Sequence, residues 1–362
     1  MKVVQLLPEL NEGGVERGVV ELNREFVKQN IESTVISSGG KLAPQIEKDG
    51  GLHVNFDVCS KNPFTFFFRA YKLRKILKDL KPDILHVRSR VPAWLVHFAN
   101  KSLHVKIVST VHGFNSVGRY SKIMQEADSV ICVSMAVKEY IVKNYKTDSK
   151  KITVIPRGVD LDVFNEDNLD FEFIKKFKKE HNLENSFIIS SVGRITQLKD
   201  YETFIEAFSL LTKEISNAKA LIVGGVREDK KEYFETLKDK VKVLGLESKI
   251  KFCGSISKIA EIYSLSDVVV SSSKKPEAFG RSVAEAIALN TPVVASNHGG
   301  VLDIICEGIN GHFTPVQNPQ KLKEAILKAS ELEFDGFSYI KKNFSLKQMV
   351  EKTIEVYKKV LI

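Results

Sequence analysis

The sequence has few of the residues that cross-link a protein or anchor it in a membrane. It contains four cysteines, Cys59, Cys132, Cys253 and Cys306, with no CxxC pair and no zinc-ligand spacing. Scattered cysteines of this kind indicate reduced thiols and exclude a disulfide scaffold. No run of about eighteen apolar residues occurs, so a membrane-spanning helix is not expected, and neither is a secretory signal. The sequence therefore predicts a cytoplasmic protein.

Acidic residues are scarce in the first half of the chain. Residues 1–160 carry 25 lysines and arginines against 16 aspartates and glutamates, whereas the remainder carries 29 of each. The whole formal net charge of +9 therefore lies in the N-terminal half. Such a half attracts an anionic partner such as a membrane surface, although lysine richness without function explains it equally well. Nucleic acid is not an expected partner, because no recognised binding motif accompanies the charge.

Apolar runs typical of strands alternate with helical periodicity along the chain. The pattern predicts first-half strands near 2–7, 33–37, 53–57, 83–88, 106–111, 129–133 and 152–155. It predicts second-half strands near 187–193, 219–223, 250–253, 268–272 and 292–296. This alternation favours parallel sheets covered by helices on both faces. The sequence therefore predicts an α/β protein of two Rossmann-like domains.

The boundary between these domains is expected where turn residues and a polar stretch follow the last strand of the first half. Pro156-Arg157-Gly158 ends that strand, and the segment from Asn165 to Asn185 has no sheet pattern. We expect an N-terminal domain over 1–160 and a C-terminal domain over 161–344. A last helix over 345–362 has apolar residues at helical spacing, so it must pack against another element.

The segment from Lys275 to Ala286 is the most informative about function. Glu277 lies in a loop after a predicted buried strand, and Gly280 begins a predicted helix that carries Glu285. Ligands of open parallel sheets bind at the carboxyl ends of strands, and eight residues span nearly two helical turns. We therefore expect both carboxylates to face one cleft. The alternative is an ordinary amphipathic helix with one surface glutamate.

Three further loops that follow predicted strands suit an anionic, polyhydroxylated ligand. Gly13-Gly14 precedes the first helix, where the backbone can approach a phosphate or sugar closely. His112 ends a buried strand, either as a hydrogen-bonding or acid–base group or as a structural histidine. Gly193 allows a sharp turn before Arg194 and Lys199, two cations that can clamp phosphates.

Taken in order, these motifs resemble the retaining glycosyltransferases of family 4, which have the two-domain GT-B fold. The motifs are Gly13-Gly14-Val15-Glu16-Arg17, His112-Gly113, Pro156-Arg157-Gly158-Val159-Asp160, Gly193-Arg194 with Lys199, and Glu277 with Glu285. Each motif is weak alone, but the ordered set covers nearly the whole chain. The resemblance implies a nucleotide-sugar donor in the cleft between the domains, transfer with retained anomeric configuration, and no further cofactor.

The resemblance also implies roles in the C-terminal domain. Glu285 would hold the donor ribose, and Arg194 and Lys199 would neutralise the diphosphate. Glu277 and the backbone of Ala278-Phe279-Gly280 would hold the hydroxyls of the transferred sugar. The cations would stabilise the leaving diphosphate, by roughly several kcal/mol if they act like other electrostatic clamps.

In the N-terminal domain the resemblance implies two contacts to the donor. Gly14 would let the donor approach this domain, and His112 would hydrogen-bond the sugar near the reacting centre. The last helix would cross back onto this domain, because the family's last helix usually does so.

No metal site is expected, because cations can take its place at the diphosphate. The one Asp-x-Asp sequence, Asp160-Leu161-Asp162, is interpreted as a turn, with a metal site as the alternative. Two positions depart from the family pattern. Arg157 stands where Asn is frequent, and Asp303 stands where Glu is frequent. The second departure leaves the donor unassigned.

The acceptor is expected on the basic N-terminal domain. Residues 62–75 combine four phenylalanines with four cations. As a helix, this segment places Phe66, Ala70 and Leu73 on one face, with Arg69 and Lys72 away from it. It is either a Rossmann helix with a basic outer face or a patch that contacts anionic lipid.

A second acceptor candidate is the loop after the strand near 83–88. Arg88, Arg90 and Trp94 could contact an acceptor phosphate or sugar ring. The run from Arg88 to Trp94 resembles bacterial family members that build cell-envelope polysaccharide or lipopolysaccharide. That resemblance implies an anionic glycolipid acceptor and a peripheral position on the inner face of the cell membrane.

Other functions compete with glycosyl transfer. A sugar-nucleotide epimerase or phosphorylase of similar shape and a non-catalytic nucleotide-sugar-binding subunit both stay open. The joint presence of Arg194, Lys199, Glu277 and Glu285 argues against a subunit that only binds. A nicotinamide dehydrogenase is not expected, because no GxGxxG turn follows the first strand of either domain.

Overall fold

A computed structural model describes residues 1–11 and 13–362. The chain forms two compact units, residues 1–158 with 346–362 and residues 159–345. Each unit is built around one parallel sheet with helices on its faces, so the predicted α/β class with two Rossmann-like units is confirmed. The unit bounds fall at 158/159 and 345/346, against expected bounds of 160/161 and 344/345.

The first unit contains a seven-stranded parallel sheet in the order β3-β2-β1-β4-β5-β6-β7. Its strands are β1 (Lys2–Leu6), β2 (Glu32–Ser37), β3 (Leu52–Asn55), β4 (Ile84–Val87), β5 (Lys106–Val111), β6 (Ser129–Cys132) and β7 (Ile152–Val154). Its first six helices are α1 (Gly14–Lys28), α2 (Ala43–Lys48), α3 (Pro63–Leu80), α4 (Arg90–Ala99), α5 (Arg119–Lys122) and α6 (Met135–Tyr145).

The second unit contains a six-stranded parallel sheet in the order β10-β9-β8-β11-β12-β13. Its strands are β8 (Phe187–Val192), β9 (Ala218–Val223), β10 (Ile250–Gly254), β11 (Val268–Ser271), β12 (Val293–Ser296) and β13 (Gly311–Thr314). Its helices are α7 (Phe171–Glu180), α8 (Tyr201–Leu211), α9 (Lys231–Val243), α10 (Ile259–Ser264), α11 (Arg281–Ala288), α12 (Pro319–Ala329) and α13 (Gly336–Asn343). Helix α14 (Leu346–Leu361) belongs to the first unit.

The polar stretch from Asn165 to Asn185, for which the sequence pattern indicated no strand, contains helix α7. The Asp170 carboxylate caps this helix by accepting a hydrogen bond from the Phe173 N–H at 2.9 Å. Phe173, Ile174 and Phe177 pack into a core cluster of the second unit. These residues fall at i, i+1 and i+4, so one apolar stripe is buried while the lysines between them stay in solvent.

Helix α14 completes the core of the first unit. Met349, Ile354 and Tyr357 pack in one buried cluster with Phe26 of α1 and Val3 of β1. Each such side chain contributes roughly 1.5–3 kcal/mol when fully buried, so the helix is an integral layer of this unit. Among the described residues, no helix combines the length and apolar composition needed to cross a membrane.

Strand order fixes where each unit can bind a ligand. The direction of strand succession reverses between β1 and β4 in the first sheet and between β8 and β11 in the second. Open α/β sheets bind ligands outside the carboxyl ends of their strands at such reversals. The loops after β1, β4, β8 and β11 are therefore the places to look for function.

Candidate functional site

A lysine and a glutamate form an ion pair at the strand reversal of the second unit. Lys199, in the loop after β8, places its Nζ 2.6 Å from Oε1 of Glu277, in the loop after β11. The hydroxyls of Ser271 and Ser273 donate to the same oxygen at 3.1 and 2.6 Å. Oε2 of Glu277 has no partner among the described residues. One carboxylate oxygen is therefore anchored, and the other is available to a ligand.

These contacts set the charge of Glu277. Burial alone would raise the pKa of this carboxyl group, but the Lys199 ammonium and the hydrogen bonds from Ser273 and Ser271 outweigh burial and hold the pKa below its usual range. Glu277 is therefore ionised at neutral pH and can only accept hydrogen bonds. Such an oxygen suits the hydroxyl groups of a sugar.

The glycine after β8 makes room for the lysine. A Cβ atom at Gly193 would lie 2.8 Å from Cε of Lys199, so any side chain there would displace the ammonium from Glu277. Arg194 lies in the same turn, is exposed, and has no ion-pair partner among residues 1–11 and 13–362. The expected pair of cations therefore sits in one turn, with one cation fixed and one exposed to solvent.

The backbone of the Glu277 loop is locked by a second glycine pair. Gly300 donates its N–H to the Glu277 carbonyl at 2.7 Å. Gly299 has a φ of +79°, and a Cβ atom there would lie 2.5 Å from the same carbonyl oxygen. Only glycine accepts that conformation and that approach without strain. The loop that carries the carboxylate is therefore held rigidly.

The segment between this loop and α11 presents backbone rather than side chains. The N–H groups of Ala278, Phe279 and Gly280 donate to no acceptor in the described part of the chain. The Phe279 side chain is instead buried, with its ring centroid 6.1 Å from that of Phe344. Three N–H groups before a helix can receive oxygen atoms of a ligand.

Glu285 on α11 is buried, with 5 % exposure. Its Oε1 accepts from Arg281 Nε at 2.7 Å, and its Oε2 accepts from the Tyr263 hydroxyl at 3.2 Å. The alternative interpretation of Glu285 as a surface glutamate is therefore wrong. Its contact with a donor ribose stays a prediction.

In the first unit, His112 after β5 is held by Arg157. Arg157 Nη2 lies 3.0 Å from His112 Nδ1. A guanidinium only donates, so Nδ1 accepts and we assign the ring proton to Nε2. Nε2 is buried and has no partner in the described part of the chain. Burial, followed by the charges of Arg157, Arg88 and His86, lowers the pKa of His112 well below its usual value. His112 is therefore a neutral hydrogen-bond donor.

The glycine turn before α1 packs around the same arginine. Arg157 Nη1 donates to the Gly14 carbonyl, and a Cβ atom at Gly18 would lie 2.9 Å from that nitrogen. At Gly13 a Cβ atom would lie 2.3 Å from the Glu16 carboxylate. The sequence singled out Arg157 only as a departure from the family pattern, so its role as the residue that orients His112 was missed.

Arg69 was expected to face an acceptor or a membrane, and the structure contradicts this. Its side chain is buried, and its guanidinium donates to the carbonyls of Asp57, Ser60 and Asn62. The Asp57 carboxylate lies 3.6 Å from Nη1. Arg69 therefore fixes the loop before α3. Lys72 is exposed as expected and lies 4.4 Å from the Phe68 ring centroid.

The other two acceptor candidates on α4 contact the segment around α5. Arg90 Nη1 donates to the Ser121 hydroxyl at 3.0 Å, and Trp94 Nε1 donates to the Tyr120 carbonyl at 3.0 Å. The Trp94 and Tyr120 rings stack with centroids 6.5 Å apart. That segment consists of α5 followed by a 3₁₀ turn over 123–125.

Within residues 1–11 and 13–362, no group of three or more His, Cys, Asp or Glu side chains is arranged to hold a metal ion. In the Asp-x-Asp sequence, the Asp160 carboxylate accepts from the Asp162 N–H at 3.1 Å, which closes a turn. That contact agrees with the interpretation of this sequence as a turn.

The comparisons with known proteins match both units. The family model described as Glycosyltransferase Family 4 matches residues 12–163, and the model described as Glycosyl transferases group 1 matches residues 173–348. A crystal structure of a glycosyltransferase from Rickettsia africae is 32% identical, with a TM-score of 0.90, and the alignment covers 99% of this chain and 98% of that chain.

Two more distant structures share the fold. The structure of HepE from Anabaena in complex with UDP-glucose is 19% identical, covers 99% of this chain and 100% of its own, and has a TM-score of 0.87. The apo lipopolysaccharide outer core galactosyltransferase WaaB is 16% identical, covers 99% of both chains, and has a TM-score of 0.73. Two parallel-sheet units with polar loops at their strand reversals define the GT-B class. The chain belongs to the glycosyltransferases of this class.

Proposed function

We propose that the protein is a retaining glycosyltransferase that moves a sugar from a nucleotide sugar to a cell-envelope glycan or glycolipid without a metal ion. The observation that carries this proposal is the state of Glu277. Its Oε1 is anchored by Lys199 at 2.6 Å, while its Oε2 is available at the carboxyl edge of the sheet. An ionised oxygen next to a fixed cation can bind a sugar hydroxyl beside a phosphate.

Lys199 and Arg194 can stabilise the leaving group of the proposed reaction. Breaking the bond between sugar and phosphate places negative charge on the departing nucleoside diphosphate. Lys199 is already fixed, and Arg194 is exposed in the same turn, so both can stabilise that charge with little reorganisation. Preorganised cations act in this way at other phosphates, which is why the proposal needs no metal.

His112 adds a donor of a different kind. A neutral imidazole with its proton on Nε2 can hydrogen-bond a sugar oxygen without adding charge. Retention of configuration rests on the resemblance to family 4 alone, because no described side chain is an evident nucleophile. The anomeric proton of the product, measured by NMR, tests it directly.

A glycolipid acceptor is supported by the exposed face of α3. Phe64, Phe67, Phe68 and Tyr71 are 94, 67, 59 and 55% exposed, and Lys72 lies beside them. Aromatic side chains with neighbouring cations are typical of surfaces that enter the headgroup region of an anionic bilayer. We therefore propose a cytoplasmic protein that binds peripherally to the inner face of the membrane. WaaB, which shares the fold, is a lipopolysaccharide outer core galactosyltransferase.

Vesicle flotation tests the membrane proposal. The wild type should float with vesicles that contain anionic lipid and should remain in solution with neutral vesicles or at high salt. Phe67→Ser with Phe68→Ser should abolish flotation. Val243→Ser changes an 85% exposed side chain of the second unit and serves as the matched control. Equal binding to neutral and anionic vesicles would contradict the proposal.

The donor is tested by thermal melting with UDP-, GDP-, ADP- and CMP-sugars, beginning with UDP-glucose because HepE binds it. A ligand at about a hundred times its Kd should add roughly 2.7 kcal/mol of stability. Glu285→Gln keeps the side-chain size and should reduce the shift. If no sugar nucleotide stabilises the wild type and none is turned over, the glycosyl-transfer proposal fails and a binding subunit for another ligand takes its place.

A further inference from the structure

Among the described residues, a buried arginine of the first unit has no carboxylate partner. Arg88 is 7% exposed, and its guanidinium contacts only neutral oxygens within residues 1–11 and 13–362. Nη2 donates to Gln5 Oε1 at 2.6 Å, and Nη1 donates to Thr110 Oγ1 at 3.4 Å. Its Nε, also buried, donates to nothing in the described part of the chain. A lone buried charge is costly, so arginines at such depth are normally paired.

The same unit shows how a structural arginine is satisfied. Arg69 is 5% exposed, yet its guanidinium has three carbonyl acceptors and lies 3.6 Å from the Asp57 carboxylate. Arg88 has no such set of acceptors in the described part of the chain. The difference indicates that N–H groups of the Arg88 guanidinium are available to a hydrogen-bond acceptor from outside the chain.

Arg88, which follows β4, lines a pocket whose other walls come from α1, α14 and the ends of β5 and β6. The lining includes Thr110, His112 and Arg157 from the sheet edge, together with Met349 and Thr353 from α14. Of the lining residues that the structure describes, two carry a guanidinium, none carries a carboxylate, and most of the others are apolar. The unpaired N–H group of Arg88 Nε belongs to this lining. Two guanidinium groups without a described carboxylate favour an anion with several acceptor oxygens.

The charge of Arg88 persists under working conditions. Burial lowers the pKa of Arg88 to about 10, which is still well above neutral pH. His86, at the centre of the network behind Arg88, is buried and hydrogen-bonded to the Tyr357 hydroxyl at 2.5 Å and to Thr110 at 2.7 Å. Burial, followed by the charge of Arg88, lowers the pKa of His86, so this neighbour adds no second charge.

We propose that this pocket binds the phosphate or carboxylate group of the sugar acceptor, with the Arg88 guanidinium as its counter-ion. The donor diphosphate has its own proposed cations, Lys199 and Arg194, in the second unit. We therefore expect Arg88 to bind an anion other than the donor diphosphate. The assignment to the acceptor rests on the proposed glycosyl transfer, whereas the presence of an anion site does not.

Calorimetric titration of the full chain with inorganic phosphate and, separately, with UDP tests the proposal. The variants are Arg88→Met, Arg88→Lys and the equally buried control Arg69→Met. Arg88→Met should weaken phosphate binding by at least about tenfold, since a charge-assisted hydrogen bond is lost, while UDP binding stays within about twofold. Arg69→Met should bind phosphate like the wild type, even if it melts at a lower temperature.

A second measurement separates a binding role from a structural one. Without phosphate, Arg88→Met should melt no more than a few degrees below the wild type, because removing an uncompensated buried charge costs little. If Arg88→Met does not fold, Arg88→Lys must show weaker phosphate binding at an unchanged melting temperature.

Two results would overturn the proposal. Equal phosphate affinity of the wild type and Arg88→Met, or no phosphate binding by the wild type, would make Arg88 structural or satisfied by internal water. A parallel loss of UDP affinity in Arg88→Met would assign the anion to the donor instead. Should no sugar nucleotide be turned over while phosphate binding still depends on Arg88, the anion site stands and only the glycosyl-transfer proposal falls.

Discussion

The two units treat their central cation in opposite ways. In the second unit Lys199 is neutralised by Glu277 at 2.6 Å, and two serine hydroxyls support the same carboxylate oxygen. In the first unit Arg88 is more deeply buried, and among the described residues it contacts only an amide and a hydroxyl oxygen. A paired cation can be positioned before the ligand arrives, whereas an unpaired one gains its partner only when an anion binds.

This difference separates two requirements of a transferase. A group that must stabilise charge during the reaction benefits from a fixed position, because nothing has to reorganise at that moment. A group that must select an anionic substrate benefits from lacking a charge partner in the free protein. An uncharged analogue leaves this group without a charge partner and therefore binds more weakly. Under the two proposals above, the fixed pair would meet the first requirement and Arg88 the second, in separate units.

Breaking the fixed pair should give the largest effect. Lys199→Met removes the cation proposed for the diphosphate and leaves Glu277 without its main charge partner. We expect glycosyl transfer to fall roughly 100- to 1000-fold and unfolding free energy to fall by about 2 kcal/mol. The pKa of Glu277 should rise, because burial then acts without Lys199. Product formation and urea denaturation measure the two effects.

The double variant Lys199→Met with Glu277→Gln is the matched control for this experiment. It removes both charges, so the stability should return towards the wild-type value while activity stays low. Activity of Lys199→Met within threefold of the wild type would mean that the pair is only structural.

Removing the neutral hydrogen-bond donor His112 should lower activity less than breaking the ion pair does. His112→Ala deletes the N–H at Nε2 and should lower kcat by roughly 10- to 100-fold, the range for one hydrogen bond to a charged or strongly polarised group. His112→Gln can replace the donor and should recover part of this loss. Steady-state kinetics distinguish the variants, and equal rates for His112→Ala and the wild type would exclude a contact to the reacting sugar.

A pair of glycine substitutions compares the rigidity of the two sites. Gly300→Ala places a Cβ atom 2.4 Å from the Ala278 carbonyl, whereas Gly113→Ala meets nothing within 4 Å. We expect Gly300→Ala to lower the unfolding free energy by about 1–3 kcal/mol and Gly113→Ala to stay within about 0.5 kcal/mol. Urea denaturation of both variants measures this, and equal midpoints would argue against a locked Glu277 loop.

Mild acid should lower the stability of the protein first through buried histidines of the first unit. The pKa values of His86 and His112 lie below 6.5 in the fold, mainly through burial. The unfolded chain therefore takes up protons that the native state does not, and stability should fall by about 1 kcal/mol between pH 7 and pH 6. The depressed pKa of Glu277 acts in the same direction but in a more acidic window, since its contribution to stability is lost only as the pH falls below about 4.3.

Urea midpoints at pH 7 and pH 6 test this order. His112→Gln should reduce the drop in stability by about half, because one of the two buried imidazoles is gone. A drop in stability that is unchanged in this variant would show that His112 is protonated in the native state.

The sequence predicted local elements better than the contacts between them. Strand β5 has the predicted bounds, 106–111, because an apolar run marks it. The pairing of Lys199 with Glu277 spans 78 residues, and the contact of Arg157 with His112 spans 45. Periodicity carries no information about such pairs. The sequence indicated that Lys199 and Glu277 lie near the same ligand only because each follows a predicted strand of the same sheet.

Two misses have clear physical causes. Arg69 falls on the polar side of the helical pattern, but its long side chain reaches back to the carbonyls of the preceding loop and is buried there. Strand β13 has four residues, Gly311 to Thr314, of which only one is strongly apolar. Its place beside β12 is decided by the sheet rather than by its own composition.

Chain connectivity gives helix α14 a consequence for the order of folding. The second unit is one continuous segment, 159–345, whereas the first unit needs residues from both sides of it. The hydrogen bond between His86 and Tyr357 joins residues 271 positions apart. Once residues 159–345 have been synthesised, the second unit is complete. The core of the first unit, which includes Phe26 and Val3, is incomplete until α14 has been synthesised. We therefore expect the unit synthesised second to reach its native state first, the reverse of the usual vectorial order.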